Sequence, residues 1–253
     1  MNKRTEASLM RKSDSINSGS RTIAYEIVYS KRRKKAAIVV RPDLRVEFRA
    51  PQGLSREAIR GMVSRKADWV QEKLEWFAAN RPPSLEKQYL DGESFLYLGR
   101  EYPLKIILEG NEKPGAAICG PELIVRLPKT SPAELRPALA KKAAWQWYRQ
   151  KAELEVKGHL TAYSEKLGIT PPAFKVKHQK RRWGSCSADN VLRINFQLMM
   201  APPGQLEYVV VHELCHIKEK NHSPRFWKLV GELMQGYEVH RKELKKEGWK
   251  YVL

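Results

Sequence analysis

The sequence predicts an α+β chain: a β-rich N-terminal half with one helix, packed on a C-terminal half built around a single chemistry-bearing helix. Three observations carry this. Short runs rich in β-branched and aromatic residues recur between residues 21 and 128, broken by basic or Pro-containing stretches. Long helical periodicity is concentrated after Ser131. One apolar helical stretch, LEYVVVHELCHIKEKNH, holds an H-E-x-x-H pattern.

Taken in order, residues 1–20 are polar and basic and are expected to be a flexible tail. TIAYEIVYS, AAIVVRP and LRVEFRAP read as antiparallel strands, with the Lys31–Lys35 run on a hairpin turn. Ser55 is a good N-cap for a helix in which Ile59, Met62, Val63, Val70, Leu74 and Phe77 form the apolar stripe, stopped by Pro82 and Pro83. SFLYLGREYPLKIIL reads as a hairpin about Gly99, and PELIVRLP as another strand. These segments define a β-rich region over 21–130.

Residues 131–253 form the second region. Ser131, Pro132 and Glu134 make a capping box for a long helix with Leu135, Leu139, Ala143, Trp147 and Leu154 on one face, ending near Leu167 before Gly168. FKVKHQ, RRWGSCS and VLRINFQLMM read as strands, with a turn at 188–190. The chemistry-bearing helix is expected from about Gly204 to Lys220.

Composition limits the function classes. Of 253 residues 42% are hydrophobic, enough to build a core without a staple. The polar MNKRTEASLM start and the lack of a long apolar run predict neither secretion nor membrane insertion. Three scattered cysteines argue against a disulfide framework and for a reducing compartment, so the expected location is cytoplasmic and the expected state a monomer. The net charge of +19 makes an anionic ligand, a nucleotide or nucleic acid, a candidate partner.

His212, Glu213 and His216 carry the chemistry. Residues four apart on a helix differ by about 40° in direction, so both imidazoles leave one face a turn apart and can share a metal. A catalytic zinc takes about three protein ligands and a water, and His222 is the best third candidate; Glu232 or Glu238 is the alternative. Asn221 suits a left-handed turn that would swing His222 back, and Ser223 with Pro224 starts the next helix, whose buried stripe is Phe226, Trp227, Val230 and Leu233. Half of the 6 histidines fall within 212–222, far denser than chance. Cys186 and Cys215 read as small buried hydrophobes rather than ligands.

YVVVHELCHIKEKNHSPRFW together with RWGSCS resembles the YgjP-like metallopeptidase family and, more distantly, the SprT-like and WLM zincins. RWGSCS, N-F-Q-L, A-P, HELCH, N-H-S and F-W occur in the family's order, so 20–250 can be read as one domain of that kind. The resemblance implies a zincin-like C-terminal half, with His212, His216 and His222 holding one Zn2+ or another divalent ion and Glu213 as catalytic acid/base. The expected reaction is hydrolysis of a peptide or protein substrate by metal-activated water. Trp183, Arg181, Arg182, Tyr237 and His240 are the candidate cleft or substrate-binding residues. Two alternatives stay open: a metal-dependent nucleotide phosphohydrolase that uses the basic rim, and a DNA-associated protease of the SprT-like kind.

Overall fold

The structure, a computed structural model, describes residues 11–19, 21–79, 87–110 and 113–253. Pro82 and Pro83, the expected helix stop, lie outside them. Two compact units divide at Pro83/Ser84, each with its own apolar core, rather than at the 130/131 boundary expected from the sequence. The strands of residues 94–127 share their core with the long helix that follows, so they belong to the second unit.

In the first unit β1 (Arg11–Ser18), β2 (Arg21–Ser30), β3 (Ala37–Val40) and β4 (Val46–Pro51) form a sheet in the order β1-β2-β4-β3. The described part of the expected flexible tail is therefore a strand, paired with β2 from end to end. Ile16 is buried, and Asp14 accepts hydrogen bonds from Arg60 and Tyr25, which pins the segment. The Lys31–Lys35 run closes no hairpin: β2 lies parallel to β4, so the run belongs to a crossover. The expected single helix is two, α1 (Arg56–Ser64) and α2 (Ala67–Ala79), because a tight Lys66 N–H to Val63 carbonyl bond of 3.0 Å interrupts the ladder. The apolar rhythm survives the break: Ile59, Val63, Ala67 and Val70 are all buried.

The second unit opens with β5 (Ser94–Tyr97), β6 (Arg100–Leu108), β7 (Gly115–Cys119) and β8 (Glu122–Leu127), in the order β5-β6-β8-β7. The hairpin about Gly99 forms as expected, with both Leu98 and Gly99 at positive φ. Strand β7, short and Ala-rich, has no counterpart in the sequence reading. Ser131 does not cap the long helix; a 3-10 turn over Ala133–Leu135 intervenes, and α3 runs from Arg136 to Leu167 with Gly168 in the left-handed C-cap conformation. Its buried line, Ala140, Ala144, Tyr148, Ala152, Val156 and Leu160, leaves Leu135 51% and Leu154 67% exposed. The small side chains set the packing, and the large ones named from periodicity mark only part of that face.

A second sheet of this unit, β10-β11-β9, joins β9 (Phe174–Lys177), β10 (Gly184–Cys186) and β11 (Leu192–Asn195). Strand β11 ends in a 3-10 turn over Phe196–Met200, all of it buried, where a strand was expected to continue. Then come α4 (Pro203–Cys215), α5 (Pro224–Leu233) and α6 (Tyr237–Glu247). Among the described residues no helix is long and apolar enough to cross a membrane.

Candidate metal centre

Helix α4 starts after Pro202 with Pro203 in its first turn, and buries Leu206, Val209, Val210 and Leu214. It ends at Cys215, earlier than Lys220, so His216 is its C-cap. His212 and Glu213 leave the last helical turn, and His216 leaves the turn that closes it. The return of His222 is made differently from expectation: Asn221 is not left-handed, and a tight bond of 2.8 Å from the Ser223 N–H to the Asn221 carbonyl bends the chain around His222. The Ser223 hydroxyl then accepts the Phe226 N–H at 3.3 Å and starts α5 as expected.

One nitrogen from each of His212, His216 and His222 lies within 4.8 Å of the others. The Nε2 atoms of His212 and His222 are 3.0 Å apart. Two nitrogens on a tetrahedral zinc, each at about 2.05 Å, would sit about 3.3 Å apart, so the donor set fits such an ion. Tautomers agree with that. His216 Nδ1 lies 3.0 Å from the Glu219 carbonyl, which can only accept, so the proton is on Nδ1 and the Nε2 lone pair is free. Burial, and then the charges of His216 and His222, push His212 down to about 3, keeping it a neutral donor; burial lowers His222 as well. Glu232 pairs with Lys228 on the exposed side of α5, and neither it nor Glu238 joins the group. Cys186 and Cys215 also stand outside it.

Aromatic rings fix the three imidazoles. Phe226, fully buried, has its centroid 4.9 Å from His212, 4.5 Å from His216 and 4.8 Å from His222. Trp227 stacks on His222 at 5.5 Å, Tyr237 on Trp227 at 5.5 Å, and Tyr208 on Tyr237 at 6.2 Å. The Tyr208 hydroxyl closes the ring, 3.4 Å from His212 Nδ1. Tyr208 escaped the sequence reading, although it stands four residues before His212 on the same face, the spacing that identifies a neighbour along a helix.

Glu213 is only 7% exposed, against the edge strand β10. Burial pushes its carboxyl up to about 7, while the Cys186 backbone N–H and the charge of Arg182 pull it back. A Cβ on Gly184 would lie 2.6 Å from Glu213 Cγ and 2.9 Å from Val209 Cγ1, so glycine is what lets strand and carboxylate approach.

Of the other candidates, Tyr237 belongs to the aromatic ring just described. His240 does not reach the imidazoles: it covers Gly204, eight residues and about 12 Å along α4 from His212. Trp183, Arg181 and Arg182 line one cleft of about 510 Å³.

Among curated proteins no match is found. Among solved structures, the metallopeptidase zymogen of Pyrococcus abyssi abylysin is 20% identical over 37% of this chain and 95% of its own, with a TM-score of 0.34. That of Methanocaldococcus jannaschii jannalysin is 26% identical over 36% and 92%, with a TM-score of 0.32. The family described as YgjP-like, metallopeptidase domain, matches residues 34–247, most of the sequence and part of both units. The chain belongs to the YgjP-like metallopeptidase family.

Proposed function

We propose that this chain is a zincin-like, zinc-dependent peptidase acting as a monomer in the cytoplasm. The observation that carries the reading is the convergence of three imidazoles beside a buried carboxyl held near neutrality. His212, His216 and His222 would hold the ion. Zinc bound there supplies a Lewis acid and lowers the pKa of water towards ~7. Glu213 would serve as the general acid/base, accepting a proton from water and returning one to the leaving amine, a role suited to a carboxyl that burial pushes up to about 7. Strand β10 offers the substrate an edge. The Trp183 carbonyl accepts the Asn195 N–H and the Ser187 N–H donates to the Val191 carbonyl, so the alternating residues Gly184 and Cys186 face away from β11. The Cys186 N–H serves Glu213, and Gly184 is left to pair with an extended peptide.

Elemental analysis of the purified protein beside His222→Ala tests the centre. About one zinc per wild-type chain, strongly reduced in the variant, with peptide hydrolysis lost in parallel, is the expected result. Wild type that neither contains nor accepts zinc sinks the reading. Phosphate release from nucleoside triphosphates, absent in Glu213→Gln and unaccompanied by peptide cleavage, would replace it with the phosphohydrolase.

Tyr208→Phe is expected to keep the fold and the stacking but to weaken zinc binding about tenfold, the usual effect of removing a hydrogen-bond partner of a ligating histidine. Competition with a chromogenic chelator measures this directly; unchanged affinity would show that the hydroxyl does not orient His212.

A further inference from the structure

We infer that the basic, tryptophan-walled cleft beside β10 is a specificity subsite for the carboxylates of acidic peptide substrates. This rests on the peptidase reading and names its substrate class. The cleft, about 510 Å³, gathers Lys180, Arg181, Arg182 and Lys245 with Trp183 and Trp249, and among the described residues no Asp or Glu lines it. Among the described residues none of the four cations has a carboxylate within ion-pair distance. The adjacent carboxylate is already engaged: Glu247 pairs with Lys246 and Lys250. Four like charges brought together without a counter-charge repel one another, and an anion would relieve that.

A merely solvated basic face needs no cleft and no aromatic wall. Here the wall is built. Trp183 lies against Gly248, where an added Cβ would come within 2.9 Å of its ring, and its centroid is 6.0 Å from that of Tyr251. The cleft also adjoins the reacting atoms. Trp183 directly precedes Gly184, which abuts Glu213, and the charge of Arg182 acts on that carboxyl. A peptide extended along the β10 edge advances about 3.3 Å per residue with side chains alternating, so a side chain one to three positions from the scissile bond enters the cleft. Guanidinium groups grip a carboxylate through paired, charge-assisted hydrogen bonds. Continuity with the free strand edge favours a peptide over a small anion, which would make no use of that edge.

The test uses the zinc-loaded full chain and matched fluorogenic peptides with Glu or Gln one to three residues from the cleaved bond, on either side. One charge-assisted contact predicts a kcat/KM ratio of about ten in favour of Glu, carried mainly by KM and shrinking with added salt. Arg181→Ala/Lys245→Ala should bring the ratio towards one. Lys34→Ala/Lys35→Ala, which removes the same charge from the first unit, should leave it unchanged. Equal ratios in wild type, or equal losses in both double variants, overturn the subsite and point to unspecific attraction by net charge. Zinc-loaded Glu213→Gln separates this proposal from the peptidase reading. Fluorescence polarisation showing that it binds a labelled acidic peptide, where no peptide is cleaved by wild type, supports the subsite while the peptidase reading fails. Binding of inorganic triphosphate without binding of an equally charged peptide overturns it in favour of a small phosphorylated ligand.

Discussion

Glu213→Gln is expected to abolish peptide cleavage while zinc stays bound. Glutamine keeps the shape and can still accept the Cys186 N–H, but it cannot take a proton from water, and general base catalysis is worth about 10²–10⁴ in rate. The three imidazoles do not depend on the carboxyl for their positions: Phe226 touches all of them, and Tyr208 and the Glu219 carbonyl hold His212 and His216. Elemental analysis and single-turnover rates measured on one preparation separate the two effects. Zinc loss in the variant would instead make Glu213 part of the metal-binding scaffold.

The same substitution has a signed effect on stability. In the metal-free folded chain burial keeps Glu213 protonated up to about pH 7, whereas the unfolded chain releases that proton near the ordinary glutamate value of 4.5. Between those values the folded state holds more protons, so this group makes stability fall as pH rises, fully by the time pH passes 7. Gln has no such cost. Thermal melts of chelator-treated protein should therefore show the variant gaining on wild type from pH 5 to pH 7.5, and a gap independent of pH would contradict a desolvated carboxyl at this position.

The site was more legible in the sequence than the fold around it, for a physical reason. Histidines four apart on an apolar helix announce their geometry locally, and a third histidine before Ser223 and Pro224 needs only one turn to come back. Even so, the closure of that turn by a Ser223–Asn221 bond, rather than by a left-handed Asn221, depends on where α4 stops. Tertiary matters were less visible. Strand β1 looked like a tail because its polar residues outnumber Ile16, yet Asp14 finds Arg60, 46 residues away. Part of the buried face of α3 is alanine, at Ala140, Ala144 and Ala152, which periodicity in large apolar residues cannot reveal. The unit boundary escaped because β5–β8 resemble the strands before them in composition and differ only in the core they join. Arg181, Arg182 and Trp183 are consecutive in the chain, but Lys245 and Trp249 meet them only once α6 and the turn after it are in place.

Gly184→Ala should be damaging out of proportion to the one methyl it adds. At this position the backbone conformation does not itself demand glycine; the limit is space. The new Cβ would stand 2.6 Å from Glu213 Cγ, 2.7 Å from its Oε1 and 2.9 Å from Val209 Cγ1, all nearer than such carbons approach in folded proteins. Something must move, and the two sides differ in stiffness. Val209 sits in the core of α4 among Leu206 and Val210, while β10 is a three-residue edge strand with β11 on one side only. The strand will shift outward or the carboxylate will be turned from its place, and either change separates Glu213 from the Cys186 N–H that orients it. Overpacking of this kind costs about 1–3 kcal/mol, and a base misplaced by about 1 Å loses about 10² in kcat. His212 lies in the last turn of α4, His216 at its C-cap and His222 in the turn before α5, where Phe226 holds all three, so zinc content should stay near wild type. The expected combination is a small fall in melting temperature, full zinc and a kcat two orders down. If the rate survives, β10 and Glu213 do not form one working surface, and the edge on which a peptide is proposed to lie is not where the chemistry occurs.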